Sequence, residues 1–124
     1  MTTDSLNLPA DVLERLQALR TQPKFVPFEP SEKFPLGYVG YLPAEEDRAE
    51  AESHLNDLIS QITTGIKDHP SKAFVLQQFS QTFAYFQNSD TEDRERLCYY
   101  LEDIMDAVGM ASSDGVINKW MYGF

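Results

Sequence analysis

The chain has 124 residues, a length suited to one domain burying roughly two thirds of its unfolded surface, and 42% of them are hydrophobic, which argues against wholesale disorder. Ten Lys and Arg against twenty Asp and Glu leave a formal charge of −10. That balance argues against nucleic acid and against an anionic membrane as partners, because both are held by cationic side chains.

In chain order, Pro9 stands where a first helical residue is tolerated, and Val12, Leu13, Leu16 and Leu19 make one apolar stripe, so the pattern predicts a helix over residues 8–20. Residues 21–43 hold five of the seven prolines (Pro23, Pro27, Pro30, Pro35 and Pro43) and so cannot be helical. Phe25, Val26, Phe28, Phe34, Leu36, Tyr38, Val39, Tyr41 and Leu42 are interleaved with them, and that much apolar area is costly to leave in water. The segment reads as an extended arm laid across the domain, with a short edge strand over residues 36–42. Pro43 opens a second, longer helix, in which Ala51, Leu55, Leu58, Ile59, Ile62 and Ile66 oppose Glu46, Glu50, Ser53, Asp57 and Gln61.

His69-Pro70 ends that helix, and Ser71 is the N-cap of a third running to about Gln87. A fourth follows Asn88-Ser89-Asp90-Thr91, capped either by Ser89 with Glu92 or by Asp90 with Asp93, with Leu97, Leu101, Ile104, Met105 and Val108 facing inward and Gly109 as its stop. Ser112-Ser113-Asp114-Gly115 starts a short last helix carrying Val116, Ile117 and Trp120. The expectation is an all-α fold, a compact bundle of four to five helices in a single domain over residues 1–124. Its helical core spans residues 44–124, and the arm separates the first two helices.

Two faces stand out. From Ala73 to Ser89 there is no charge, and opposite the stripe of Val75, Leu76, Phe79, Phe83 and Phe86 the third helix presents Phe74, Gln77, Gln78, Gln81 and Tyr85. The arm is expected to cover that second face; otherwise the face is a neutral patch for a partner or for self-association. On the fourth helix Glu92, Glu95, Glu102, Asp103 and Asp106 share one side with Tyr99. Like charges three or four residues apart weaken a helix slightly, so the arrangement reads either as a solvated face or as a surface that steers a basic partner.

No catalytic constellation emerges. His54 lies near Glu50 and Asp57 and His69 sits on a turn, too few ligands for zinc, so a solvated histidine is expected. The lone Cys98 cannot form an internal disulfide or a Cys-based zinc site, and as a nucleophile it has no activating partner in sequence. Glycines make no phosphate-cradling loop. No metal, no cofactor and no enzymatic activity are expected. Residues 1–5 lack the basic-then-apolar run of a secretory signal, so the expected setting is the cytoplasm.

Thr91-Glu92-Asp93-Arg94-Glu95, Tyr100-Leu101-Glu102, Ile104-Met105, Ser112-Ser113-Asp114-Gly115, Asn118, Trp120 and Tyr122-Gly123-Phe124 resemble a small bacterial family known as domain of unknown function 4844. The resemblance implies a helical domain and brings no catalytic residues with it. The leading expectation is a non-catalytic interaction domain, such as an immunity-like inhibitor, that binds a basic protein partner through its acidic helices. The alternatives are a ligand-binding or enzymatic bundle with a pocket between the arm and the third helix, formed by Tyr38, Tyr41, Phe74 or Tyr85, and a homodimer through the neutral face. The aromatic C-terminus is expected to dock into the bundle.

Overall fold

Helices form where apolar residues recur at helical spacing, and the computed structural model, which describes residues 4–40 and 44–123, contains five of them among those residues: α1 (Val12–Thr21), α2 (Glu45–Gly65), α3 (Lys72–Phe86), α4 (Thr91–Ala107) and α5 (Val116–Tyr122). The fold is all-α. α2 packs against α1 and α3, α1 also rests on α4, and α4 carries α5. Leu16, Leu55, Ile59, Ile62, Val75, Phe79, Phe86, Leu97, Leu101 and Ile104 fill the space between them. No helix among the described residues is long and apolar enough to cross a membrane.

α1 begins at Val12, later than the expected residue 8, because the preceding segment has another partner. The Leu6 N–H donates to the Pro70 carbonyl at 2.8 Å, and the Lys72 N–H donates to the Asp4 carbonyl at 2.8 Å, which holds the segment extended along the start of α3. Ser71 caps α3 as expected, its side chain accepting from the Phe74 N–H at 3.2 Å. At α4 the cap position falls to Asp90, yet its side chain makes no capping bond, and Asp93 is turned into the protein. Gly109, at φ +72°, follows the end of α4. The Ser112-Gly115 turn precedes α5 without joining it, and Asp114 is tied to Lys72 at 3.4 Å. α5 buries Ile117 and Met121 and stacks Trp120 on Phe83 at 4.5 Å between ring centroids, so the C-terminal segment docks on the bundle. Pro43 and Phe124 lie outside the described residues.

The arm is anchored by two consecutive buried residues. Phe25 is fully buried with its backbone at φ +59°, a left-handed conformation that costs an L-residue about 1–2 kcal/mol. The ring recovers more than this: it stacks on Phe86 at 5.5 Å and meets Tyr100 edge-on at 5.2 Å, while its N–H donates to the Tyr100 hydroxyl at 3.0 Å. Lys24 is buried beside it. Its N–H donates to the Glu52 carboxylate at 2.6 Å, its carbonyl accepts from Arg48 Nη1 at 2.8 Å, and its ammonium donates to the Arg20 and Gln22 carbonyls at the end of α1. Burial pulls this ammonium down from the usual lysine range to about 8, with the Glu52 carboxylate acting in the opposite direction.

Beyond Phe25 the arm folds into a tight hairpin. Phe28 and Tyr38 exchange backbone hydrogen bonds at 2.9 and 3.0 Å, and the turn between them closes with the Ser31 and Gly37 N–H groups donating to the Phe34 carbonyl. The expected edge strand over 36–42 reduces to this single bridge; Tyr41 and Leu42 lie outside the described residues. The reason is local. Pro27, Pro30 and Pro35 remove ladder donors, and Gly37 turns at φ +69° where an added Cβ would lie 2.8 Å from the Phe28 carbonyl oxygen.

Because Phe25 fills the seam between α3 and α4, Phe25→Ala is expected to cost about 3–5 kcal/mol, read as a lower urea midpoint with an unchanged m-value.

Candidate functional site

Among the described residues, the hairpin of the arm lies on the N-terminal half of α4 and not on the neutral face of α3, where the arm was expected. Once Phe25 is held between Phe86 and Tyr100, the chain emerges beside α4, where three side chains receive it. The Tyr38 hydroxyl donates to Asp93 at 2.8 Å, Phe34 meets Tyr99 edge-on at 4.8 Å, and the Arg96 guanidinium lies over the rings of Phe28, Phe34 and Tyr100 at 5.0, 5.2 and 4.5 Å. The pocket expected between arm and third helix is therefore replaced by a groove between arm and α4. Phe28, Phe34, Leu36, Gly37, Tyr38 and Val39 line one side of it, and Glu92, Glu95, Arg96 and Tyr99 line the other.

Of the other members of the expected pocket, Phe74 and Tyr85 meet different partners, and Tyr41 lies outside the described residues. Tyr85 stacks on His54 of α2 at 3.7 Å, and Phe74 stacks on His69 at 5.7 Å. His54 is accordingly half-buried against a ring, where a solvated histidine was expected, with Glu50 4.0 Å away. Of the neutral patch, Gln77 and Gln81 are exposed, whereas Phe74, Gln78 and Tyr85 are partly covered.

Several carboxylates are consumed internally. Glu45 and Glu52 hold Arg48, Asp11 holds Arg15, Asp114 holds Lys72, and Asp4 accepts from the Ala73 N–H. Exposed carboxylates without an ion pair among the described residues occur on several elements, Glu14, Glu46 and Asp57 included, and α4 gathers four of them on one face. Glu92, Glu95, Glu102 and Asp106 are exposed and, among the described residues, have neither ion pair nor hydrogen bond. Tyr99 and Asp103, grouped with them by sequence, are partly covered. Burial raises the Asp103 carboxyl above its ordinary range, with Lys33 opposing the shift.

Asp93 separates from this stripe altogether. It is buried, and burial raises its carboxyl while the Tyr38 hydrogen bond works the other way. The phenol of Tyr38 is in turn pushed well above its usual value, by burial first and then by its bond to Asp93. Nothing in a sequence of closely spaced carboxylates marks Asp93 as the inward one, except that it shares a side of the helix with Arg96 and Tyr100 at helical spacing.

Burial pushes the Cys98 thiol up to about 11, with Glu102 and Glu95 adding to the shift, so it stays a protonated, weakly nucleophilic thiol at neutral pH. Among the described residues no group of three or more His, Cys, Asp and Glu side chains is placed to hold a metal ion. Of the large apolar side chains at the surface, Leu36 and Val39 are the most open, 95% and 65% exposed, and both stand on the rim of the arm–α4 groove.

The sequence profile of the family described as "Domain of unknown function (DUF4844)" matches residues 7–124, far beyond the C-terminal motifs that carry the resemblance. The fold is similar to the crystal structure of a DUF3571 family protein from Acinetobacter baumannii AYE, with a TM-score of 0.73 and 27% sequence identity over 90% of this chain and 89% of that one. No curated protein matches the chain.

Tyr38→Phe removes the one side chain that, among the described residues, donates to the buried Asp93 carboxylate, and is expected to cost about 1–3 kcal/mol at neutral pH. The Asp93 carboxyl, already raised in the folded state, would rise further in the variant. Both folded and unfolded states are protonated below the unfolded carboxyl value, so the charge-dependent part of the penalty is full above the folded pKa and fades as pH falls through it. Urea unfolding of both proteins across the acid range measures this; a penalty that stays constant on acidification would exclude the ionised Asp93 as its source.

Proposed function

We propose that this chain, which belongs to the DUF4844 family, is a non-catalytic interaction domain that binds a basic protein partner through the acidic face of α4. The observation that carries this is the grouping of Glu92, Glu95, Glu102 and Asp106 on one exposed face of α4, without ion pairs among the described residues, whereas Glu45, Glu52 and Asp114 are used to hold the fold. Such a stripe costs helix stability through like-charge repulsion and creates a negative field that speeds the approach of a positive surface. Tyr99 and the exposed Leu36 and Val39 beside it supply the apolar contact that steering alone lacks.

An immunity-like inhibitor, small and acidic and set in the cytoplasm, is the form of this function that size and charge support by analogy. A small-molecule pocket in the same groove has less support. The groove holds about 190 Å³, below the roughly 300–1,000 Å³ of pockets that enclose a drug-sized ligand.

Affinity capture from the native cell tests the proposal, comparing the chain with a variant carrying Glu92→Gln, Glu95→Gln, Glu102→Gln and Asp106→Asn. These side chains are exposed, so the fold is expected to persist. A basic protein should be retained at low salt and lost both at high salt and by the variant. Equal retention by the variant would remove the α4 face as the binding surface.

A further inference from the structure

Arg96 is four residues after Glu92, a spacing that ordinarily brings a carboxylate and a guanidinium together on a helix, yet no ion pair forms between them among the described residues. Its guanidinium carbon lies instead over the rings of Phe28, Phe34 and Tyr100. Nε is buried without a partner, and neither Nη donates to any described residue. The rings engage the charge of the guanidinium but accept none of its strong hydrogen bonds, so its remaining capacity lies in the Nη donors. The groove therefore combines these cationic donors, the two unpaired carboxylates of Glu92 and Glu95, and an apolar rim at Leu36 and Val39.

An occupant that satisfies all three must carry a cation, an acceptor oxygen and an apolar group within a short span. The groove has room for a side chain but not for a drug-sized ligand. We infer that the arm–α4 groove takes an extended segment of the basic partner in which lysine or arginine alternates with an aliphatic residue. This rests on the proposed binding of a basic protein and adds where and how it is read. The aliphatic side chain enters between Leu36, Val39 and Tyr99. The flanking cation meets Glu92 and Glu95, and a main-chain carbonyl of the segment accepts from the Nη donors of Arg96. Charge complementarity sets the sign of the partner, and the apolar rim sets its register.

The probe is the acetylated, amidated peptide Lys-Leu-Lys-Leu-Lys, compared with its counterpart in which serine replaces leucine, each titrated into the full chain and followed by amide NMR shifts. The leucine peptide is expected to bind about tenfold more tightly, as the burial of one leucine side chain implies. Its shifts should centre on Leu36, Val39, Arg96 and Tyr99. Leu36→Ser, at a position too exposed to affect folding, should bring the leucine peptide down to the affinity of the serine one. Glu92→Gln with Glu95→Gln, both exposed, removes the negative charge and leaves the apolar rim in place, and should weaken both peptides by about tenfold. Equal affinity for the two peptides, or an unchanged affinity in Leu36→Ser, would overturn the groove as the reading site while leaving a charge-driven basic partner in place. Failure of both peptides to bind at low salt would overturn the basic-partner proposal and this inference together.

Discussion

The position of the arm, and through it the character of the whole α4 surface, depends on the insertion of Phe25 between Phe86 and Tyr100. The backbone reaches that site only by turning through a left-handed conformation, which is unfavourable for a side chain of this size. Lys24 makes the turn tenable. Its amide and carbonyl are bound by Glu52 and Arg48 of α2, and its ammonium closes the C-terminal end of α1. The two residues thus tie α1, α2, α3 and α4 at one point, and the ordered hairpin follows from there.

What the hairpin does to α4 follows from ring chemistry. By presenting Phe28 and Phe34, it draws the Arg96 guanidinium onto aromatic faces and away from the neighbouring carboxylates. Tyr38 takes up Asp93. Glu92, Glu95, Glu102 and Asp106 face solvent without an ion pair among the described residues, and the same hairpin brings two open aliphatic side chains to the groove beside Glu92 and Glu95. One packing event therefore leaves both the negative field and the apolar rim on one side of the molecule.

The helices were legible because their signals are local. Apolar residues at helical spacing, a serine able to cap its own third amide and a glycine after the last turn all act within a few residues of where they stand. The arm was legible as an arm for the same reason, since proline acts on its own φ and on the residue before it. Where the arm lies was not. Phenylalanines match any apolar face, and an uncharged helix offered more obvious cover than an acidic one. The face of α3 holding Phe74 and Tyr85 is partly covered by His69 and His54, and a histidine near two carboxylates reads in sequence as solvated. The pairing of Tyr38 with Asp93 spans 55 positions, and no local pattern announces it.

Composition and periodicity by themselves determined an acidic, all-α domain with a proline-rich aromatic arm, because charge is a sum over residues and helix periodicity is a property of neighbours in the chain. Tertiary structure alone decided which carboxylates hold the fold and which remain free, that Asp93 is buried while Glu92 and Glu95 line an open groove, and that Arg96 lies on rings instead of in an ion pair. The physical reason is that burial and pairing depend on which distant segments meet, and here that was settled by the site where one phenylalanine could leave water.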